Sequence, residues 1–346
     1  DFRPSLRGRA LATGRSYLLG IVHSDRNALV LDSVQRGVGR EATRRGYEVV
    51  SHSVALEPRI DPVADVLAFA RRARVDGVIL LPPVADLPDL APALRDAGVP
   101  AVALSSVPID GYGAVILSQE RRAAADVAAH LLALGHRRIA MVTGPANTRS
   151  AAERRAGFIE GLASGGVTLM AERGGDYGLA SGLSAGRSLL AAADRPTAIF
   201  AANDVMAAGL LKAAHEQGIG VPDYLSIVGF DGSLLADMLI PSLTTVERPF
   251  GAMAEGAARL LVGQDVLQPD HLFSQFGDVF LRRIDHREAF MKPFQGFAGF
   301  FGMLVQAFAD PFREPLEAFI EAGFRMLHPA RKFGLDFDDL VQFAGL

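Results

Sequence analysis

Residues 197–231 read T-A-I-F-A-A-N-D-V-M-A-A-G-L-L-K-A-A-H-E-Q-G-I-G-V-P-D-Y-L-S-I-V-G-F-D, and this stretch decides the fold class. Ala198 to Ala202 is an unbroken apolar run with the length and content of a strand buried on both faces. It stops at Asn203-Asp204, residue types that favour a helix N-cap, and apolar positions then recur at helical spacing from Met206 to Ala214. Gly218 supplies a helix stop and Pro222 keeps the helix from resuming. Ser226 to Phe230 is a second buried strand, ending at Asp231. This strand–helix–strand unit carries Asn203 and Asp231 to the carboxyl ends of two parallel strands, the edge where open α/β sheets bind small ligands. Either both side chains face a ligand, or Asn203 merely caps its helix and Asp231 merely begins a turn. The stretch alone leaves the two readings open.

The same alternation extends toward the amino terminus. Leu18 to Val22, Glu48 to His52, Gly77 to Leu81, Ala101 to Leu104 and Ala114 to Leu117 read as strands, with helical patterns near Leu31 to Arg45, Val63 to Arg72, Asp89 to Ala97 and Glu120 to Leu134. A second series starts with a strand at Arg138 to Val142. It continues through a helix at Ser150 to Ser164, a strand near Val167 to Met170 and a helix at Ala180 to Ala193. Thr244 to Val246, a helix from Phe250 to Val262 and a strand from Phe280 to Ile284 finish the pattern. Apolar strands alternating with helices mean parallel sheets covered on both faces, and two series of similar length predict two similar α/β subdomains. Beyond Phe290 the β signal stops and phenylalanine becomes frequent. Phe297, Phe301, Leu304 and Phe308 share one helical face, and Leu316, Phe319, Ile320, Phe324 and Leu327 another, so an α-helical extension of unknown role is expected over 289–346.

Composition narrows the class. The 346 residues are 49% hydrophobic and 21% charged, as in well-packed globular domains. Cysteine is absent, which excludes disulfides, thiolate catalysis and cysteine metal sites and fits a reducing, cytoplasmic setting. No apolar stretch is long enough to cross a membrane, and the start is polar and Arg-rich, without a signal-peptide core. The net charge of −4 argues against a nucleic-acid surface over the bulk of the chain. The first fifteen residues differ, carrying Arg3, Arg7, Arg9 and Arg15 against Asp1.

Catalytic signatures are missing. There is no P-loop, no dinucleotide-binding glycine motif, no nucleophile elbow and no metal-spaced histidine pair. Asp204 and Asp231 could share a cation, but no third carboxylate accompanies them. The expectation is a non-enzyme without metal or cofactor. The strand ends offer a binding set instead: Ser24 and Asp25 after the first strand, Ser150 and Arg154 opening a helix, Tyr177, Asn203 and Asp231. Amide and charged groups can bind hydroxyls in pairs while an aromatic face covers a sugar ring. Each also has an ordinary reading, with Ser150 as a cap, Arg154 as a surface ion pair and Tyr177 as core. The basic amino-terminal segment, with Arg7, Arg9 and Leu11, is too short to be a stable helix alone. It suits a helix that forms on DNA, with arginines for phosphates and a leucine wedging into the minor groove; the alternative is a frayed basic linker.

Several separated motifs resemble the LacI/GalR family of bacterial transcriptional repressors. They are R-P-S-L-R-G-R-A-L-A-T-G-R-S-Y-L-L-G-I-V from Arg3, L-G-H-R-R-I-A-M-V-T-G-P from Leu134, E-R-R-A-G-F from Glu153, A-N-D from Ala202, V-P-D-Y-L-S-I-V-G-F-D from Val221 and P-S-L-T-T-V from Pro241. The resemblance covers Arg3 to about Glu288, without a helix-turn-helix headpiece. It implies a periplasmic-binding-protein-like type I core, two doubly wound parallel-sheet subdomains joined by three crossovers, usually as a homodimer. An effector between the subdomains would alter two hinge helices on operator DNA. Residue by residue, Leu11 matches the hinge leucine, and Ser24, Ser150, Arg154, Tyr177, Asn203 and Asp231 match effector-contacting positions. The aromatic Tyr177 favours a sugar. Two departures alter the pocket lining: Ser118-Gln119-Glu120 stands where V-D-N is common, and Asn27-Ala28-Leu29-Val30 where N-P-F-F is usual. The expected organisation is a hinge at 1–16, one subdomain of 17–134 with 247–272, and another of 135–246 with 273–288. The competing functional readings are a sugar-binding protein of a transporter, and an α/β enzyme for which no catalytic group can be nominated.

Overall fold

The computed structural model describes residues 13–24, 27–57, 59–263, 273–275 and 280–282. Asp25, the hinge residues Arg7, Arg9 and Leu11, and the phenylalanine-rich segment from Phe290 lie outside the described residues.

Two sheets organise the chain. The first contains β1 (Leu18–His23), β2 (Glu48–Ser53), β3 (Gly77–Leu80), β4 (Ala101–Ser105), β5 (Ala114–Leu117) and β11 (Phe273–Gln275), in the order β11-β5-β4-β3-β1-β2. The second contains β6 (Ile139–Thr143), β7 (Ala171–Gly174), β8 (Ala198–Ala201), β9 (Ser226–Asp231), β10 (Thr244–Glu247) and β12 (Phe280–Arg282), in the order β12-β10-β9-β8-β6-β7. Pairing is parallel except where β12 runs antiparallel to β10. In both sheets the first strand of a series lies inside and the chain winds outward in both directions. The expected α/β doubly wound architecture is what the chain adopts. The central strands β3, β4, β6 and β8 are buried along their whole lengths, which is why they read as continuous apolar runs.

Helices cover the sheets: α1 (Ala28–Arg45), α2 (Pro62–Ala73), α3 (Leu90–Asp96), α4 (Glu120–Ala133), α5 (Arg149–Ser164), α6 (Leu179–Leu190), α7 (Asp204–Glu216), α8 (Leu234–Met238) and α9 (Phe250–Val262). Their starts follow local chemistry. Asp61 caps α2 by accepting from the Val63 and Ala64 amides, Thr148 caps α5, and Asn203 caps α7 through the Met206 amide at 2.9 Å. Neighbouring helices meet closely where glycine permits. A Cβ on Gly157 of α5 would fall 1.8 Å from the Arg121 carbonyl oxygen of α4, so only glycine allows that pair its spacing.

The chain crosses between sheets at three points: from β5 to α4, from β10 to α9, and between β11 and β12. Two expected boundaries move as a result. The sequence places helix α4 with the first subdomain, yet Ala123, Ala124, Val127, Ala128 and Leu131 join the core of the second sheet beside Phe158 and Phe200. The crossover therefore falls at Ser118-Gln119 rather than after residue 134. An apolar helix stripe shows that a helix is buried but not which sheet buries it. Likewise Phe273–Gln275 is expected in the second subdomain and instead extends the first sheet beside β5. A third correction concerns β7, expected near Val167 to Met170 and found at Ala171–Gly174. It is an edge strand with partly exposed, polar residues, whereas the apolar Val167 and Leu169 before it pack on the core as non-strand chain.

Candidate functional site

Both sheets direct their carboxyl ends toward one region, and the crossovers run beside it. Asn203 follows β8, Asp231 ends β9, Glu120 opens α4 just after β5, and Arg248 follows β10. Arg154 comes from the second turn of α5, which begins after β6. Asp231 has φ 116° and precedes Gly232 at φ 63°, while Tyr177 has φ 68°. A non-glycine residue held in this region stores strain, and such strain clusters at ligand sites.

The side chains form a closed ring of alternating charge. Arg154 Nε donates to Glu120 Oε2 at 2.7 Å, and a second Arg154 nitrogen lies 3.5 Å from Asp231 Oδ1. Arg248 stands 2.7 Å from Glu120 Oε1 and 3.5 Å from the same Asp231 oxygen. All four are buried, with side-chain exposures of 4%, 0%, 8% and 6% for Arg154, Glu120, Arg248 and Asp231. Further hydrogen bonds hold the ring in place. Ser118 Oγ donates to Glu120 at 2.9 Å, Arg248 donates to Ser118 Oγ at 3.1 Å, and Arg154 also donates to the Ala202 carbonyl. From the first sheet's side, Asn27 Nδ2 donates to Asp231 Oδ2 at 3.3 Å.

Burial alone pushes Glu120 up, but Arg154 and Arg248 more than offset it, so its carboxyl is held below the usual value. Asp231 goes the other way: burial raises it and the longer contacts to the same two arginines pull it only partly back. The Arg154 guanidinium lies 4.0 Å from the Phe230 ring centroid and 5.7 Å from that of Tyr177, so two aromatic faces also receive its charge. Asn203 Nδ2 donates to the Tyr177 carbonyl at 3.0 Å, tying the Tyr177 loop to the head of α7. Asn203 is therefore a helix cap and a member of the cluster at once. At the rim, Arg149 of α5 faces Asp86 of the first lobe at 3.7 Å.

Of the residues singled out from sequence, the structure brings together Arg154, Tyr177, Asn203 and Asp231. Ser150 is buried one turn before Arg154, and Ser24 is half-buried just past β1. Among the described residues neither serine joins the ring. Ser118, Glu120 and Asn27 stand out from the sequence only as departures in the pocket lining, with no role assigned, and Arg248 does not stand out at all. Glu120 and Arg248 carry the same signal that found Asn203 and Asp231, a polar residue just past an apolar strand. Asp204, considered as a cation ligand with Asp231, instead accepts from Thr245 Oγ1 at 2.5 Å and from the Ser233 amide and hydroxyl at 2.8 Å each. Among the described residues no three acidic or histidine side chains gather as a metal site.

Two α/β lobes whose strand ends converge on a buried polar cluster define a two-lobed small-molecule-binding protein. Comparison with known proteins places this one more closely. The model of the periplasmic binding protein-like domain matches residues 128–269. The ribose operon repressor of Halalkalibacterium halodurans is 32% identical over 269 residues, covering 78% of this chain and 79% of that protein. Among solved structures, the complex of the transcriptional regulator CelR with cellobiose is similar at a TM-score of 0.66 and 26% identity, over 78% of this chain and 84% of that one. The lac repressor dimer bound to operator and the anti-inducer ONPF is similar at 0.65 and 28%, over 77% and 94%. The chain belongs to the LacI/GalR family of transcriptional regulators. It is a regulator rather than an enzyme or the binding component of a transporter.

Proposed function

We propose that this protein is a sugar-responsive transcriptional repressor, working as a homodimer in the cytoplasm. A polyhydroxylated effector sits between the two lobes, held by Arg154, Asn203 and Asp231 and covered by Tyr177, with Ser24, Asp25 and Ser150 on the lining. Arg7, Arg9 and Leu11 are the DNA-contacting groups of the hinge segment. The observation that carries this reading is the buried ring of Arg154, Glu120, Arg248 and Asp231 at the strand ends. A set of fixed donors and acceptors beside an aromatic face is what a sugar's hydroxyls and ring require. The complexes of one relative with cellobiose and of another with operator and an anti-inducer support the same assignment.

Transmission needs only a difference in effector affinity between two lobe arrangements. Two contacts cross between the lobes, Asn27 to Asp231 and Arg149 to Asp86, and a change in either with lobe position would supply that difference. The test is a thermal-shift screen over sugars and nucleosides, since a ligand bound to the folded state raises its melting temperature. Arg154→Ala and Asp231→Ala are then titrated with the hit by calorimetry, at a temperature where circular dichroism shows both variants folded. Each is expected to weaken binding at least ~30-fold, the usual consequence of truncating one partner of a buried charge pair. Unchanged affinity in both removes the ring from the effector site.

A further inference from the structure

The ring is electrically balanced, and its balance depends on a residue that direct effector contact does not require. Two guanidinium groups meet two carboxylates, and Glu120 makes the shorter contact to each arginine, 2.7 Å against 3.5 Å for Asp231. The rim pair of Arg149 and Asp86 is balanced as well. Buried net charge is costly unless a counter-charge accompanies it. An anionic ligand entering this cluster would find both arginines already neutralised, and would bring an uncompensated charge into a dry site. An uncharged polyol would not. Its hydroxyls can donate to the carboxylates and accept from arginine N–H groups. One such donor is waiting: Arg248 Nε is buried without a hydrogen-bond partner.

We propose that Glu120 is the specificity-determining residue of the cleft: by neutralising Arg154 and Arg248 it restricts the site to uncharged polyols and rejects their phosphorylated and carboxylate counterparts. This rests on the reading of the cluster as the effector site. Asp231, with its longer contacts and its bond from Asn27, is the edge that ligand hydroxyls exchange with, and Glu120 is the fixed counter-ion behind it.

The experiment uses the full chain and its Glu120→Gln variant, which keeps the side-chain shape and removes the charge. Matched pairs serve as probes: ribose and ribose 5-phosphate, glucose and glucose 6-phosphate, glucose and glucuronate, adenosine and AMP. Wild type is expected to bind the neutral member of a pair at least ~30-fold more tightly than the anionic one. In Glu120→Gln that preference is expected to narrow by tenfold or more. Inorganic phosphate is a second readout that needs no effector. It is expected to raise the melting temperature of Glu120→Gln, but not of wild type, above a sodium chloride control of equal ionic strength. Wild type favouring a phosphorylated or acidic member overturns the proposal, as does a folded Glu120→Gln whose preference and phosphate response equal those of wild type. If Glu120→Gln does not fold, wild-type discrimination within the pairs decides alone. Binding of adenosine over AMP with no sugar bound would refute the sugar reading while supporting the charge argument. If no pair binds to wild type, the sugar reading fails and the phosphate readout decides this one.

Discussion

Two clusters in this protein use the same chemistry, arginines around a glutamate, in opposite surroundings. On the outer face of the first lobe, Glu255 of α9 receives Arg40 at 3.1 Å, Arg44 and Arg259, all from side chains that are more than half exposed. At the cleft, Glu120 receives Arg154 and Arg248 at 2.7 Å with every partner under a tenth exposed. The pairing geometry is alike, yet the energetics are not. Exposed pairs trade one hydrated state for another and gain little, whereas buried partners have already lost their water and depend on each other for solvation. An ion pair in the open needs no function to explain it. A buried, closed ring at strand ends, with Asp231 held at φ 116°, is expensive to maintain, which is why it marks the site and the surface cluster does not.

The largest expected effect breaks this contrast directly. Glu120→Ala leaves two guanidinium groups buried without their nearest counter-charge, and is expected to destabilise the fold by about 3–5 kcal/mol. Glu255→Ala leaves its arginines in water and is expected to leave the urea midpoint almost unchanged. Equilibrium unfolding of the two variants beside wild type measures both. Equal losses would mean that burial is not what separates the clusters.

The two regions also differ in how well the sequence announces them. The fold was legible because its central strands are buried on both faces, so Ala198 to Ala202 and Ser226 to Phe230 stand out without any long-range information. Asn203, Asp231 and Arg154 were legible because strand ends in a parallel sheet are places where ligands gather. What the sequence hid was which sheet claims a helix. The stripe on α4 reads the same against either core, so its packing with Phe158 and Phe200, and the crossover at Ser118-Gln119, emerge only in three dimensions. The pairing of Glu120 with Arg248 was hidden for the same reason. They lie 128 positions apart and meet because two crossovers run side by side. A charged residue at a helix start ordinarily reads as a solvated first turn.

Acidity sharpens the contrast within the buried region itself. Asp204 is pushed up to about 7, first by burial and then by the neighbouring Asp231 charge. The folded protein therefore keeps a proton that the unfolded chain releases near its ordinary value of 3.8. Stabilisation from this group is complete below about pH 4 and is lost as the pH rises through about 7. Glu120 has the reverse sign. Its folded value is depressed, so its contribution is present above the ordinary carboxylate value of 4.5 and is lost as the pH falls through the folded one. Asp204→Asn is expected to flatten the decline in melting temperature between about pH 4 and pH 7. A decline just as steep in the variant would assign it to other groups, Asp231 first among them, since burial raises it too.

The smallest expected effect concerns salt, and it tests the exposed member of the pair of clusters. Charges in water are screened over about 8 Å at physiological ionic strength and about 3 Å at 1 M. Whatever Glu255 contributes through Arg40, Arg44 and Arg259 should therefore be detectable only at low salt. The members of the Glu120 ring are buried and lie 2.7–3.5 Å apart, so the deficit of Glu120→Ala should persist at 1 M sodium chloride, while the slight deficit of Glu255→Ala disappears. Melting temperatures of the two variants and wild type, each at low and at 1 M salt, give the comparison. A Glu120→Ala deficit that salt erases would show that water and ions reach the ring, and the cleft would then be an open groove rather than a dry site able to discriminate by charge.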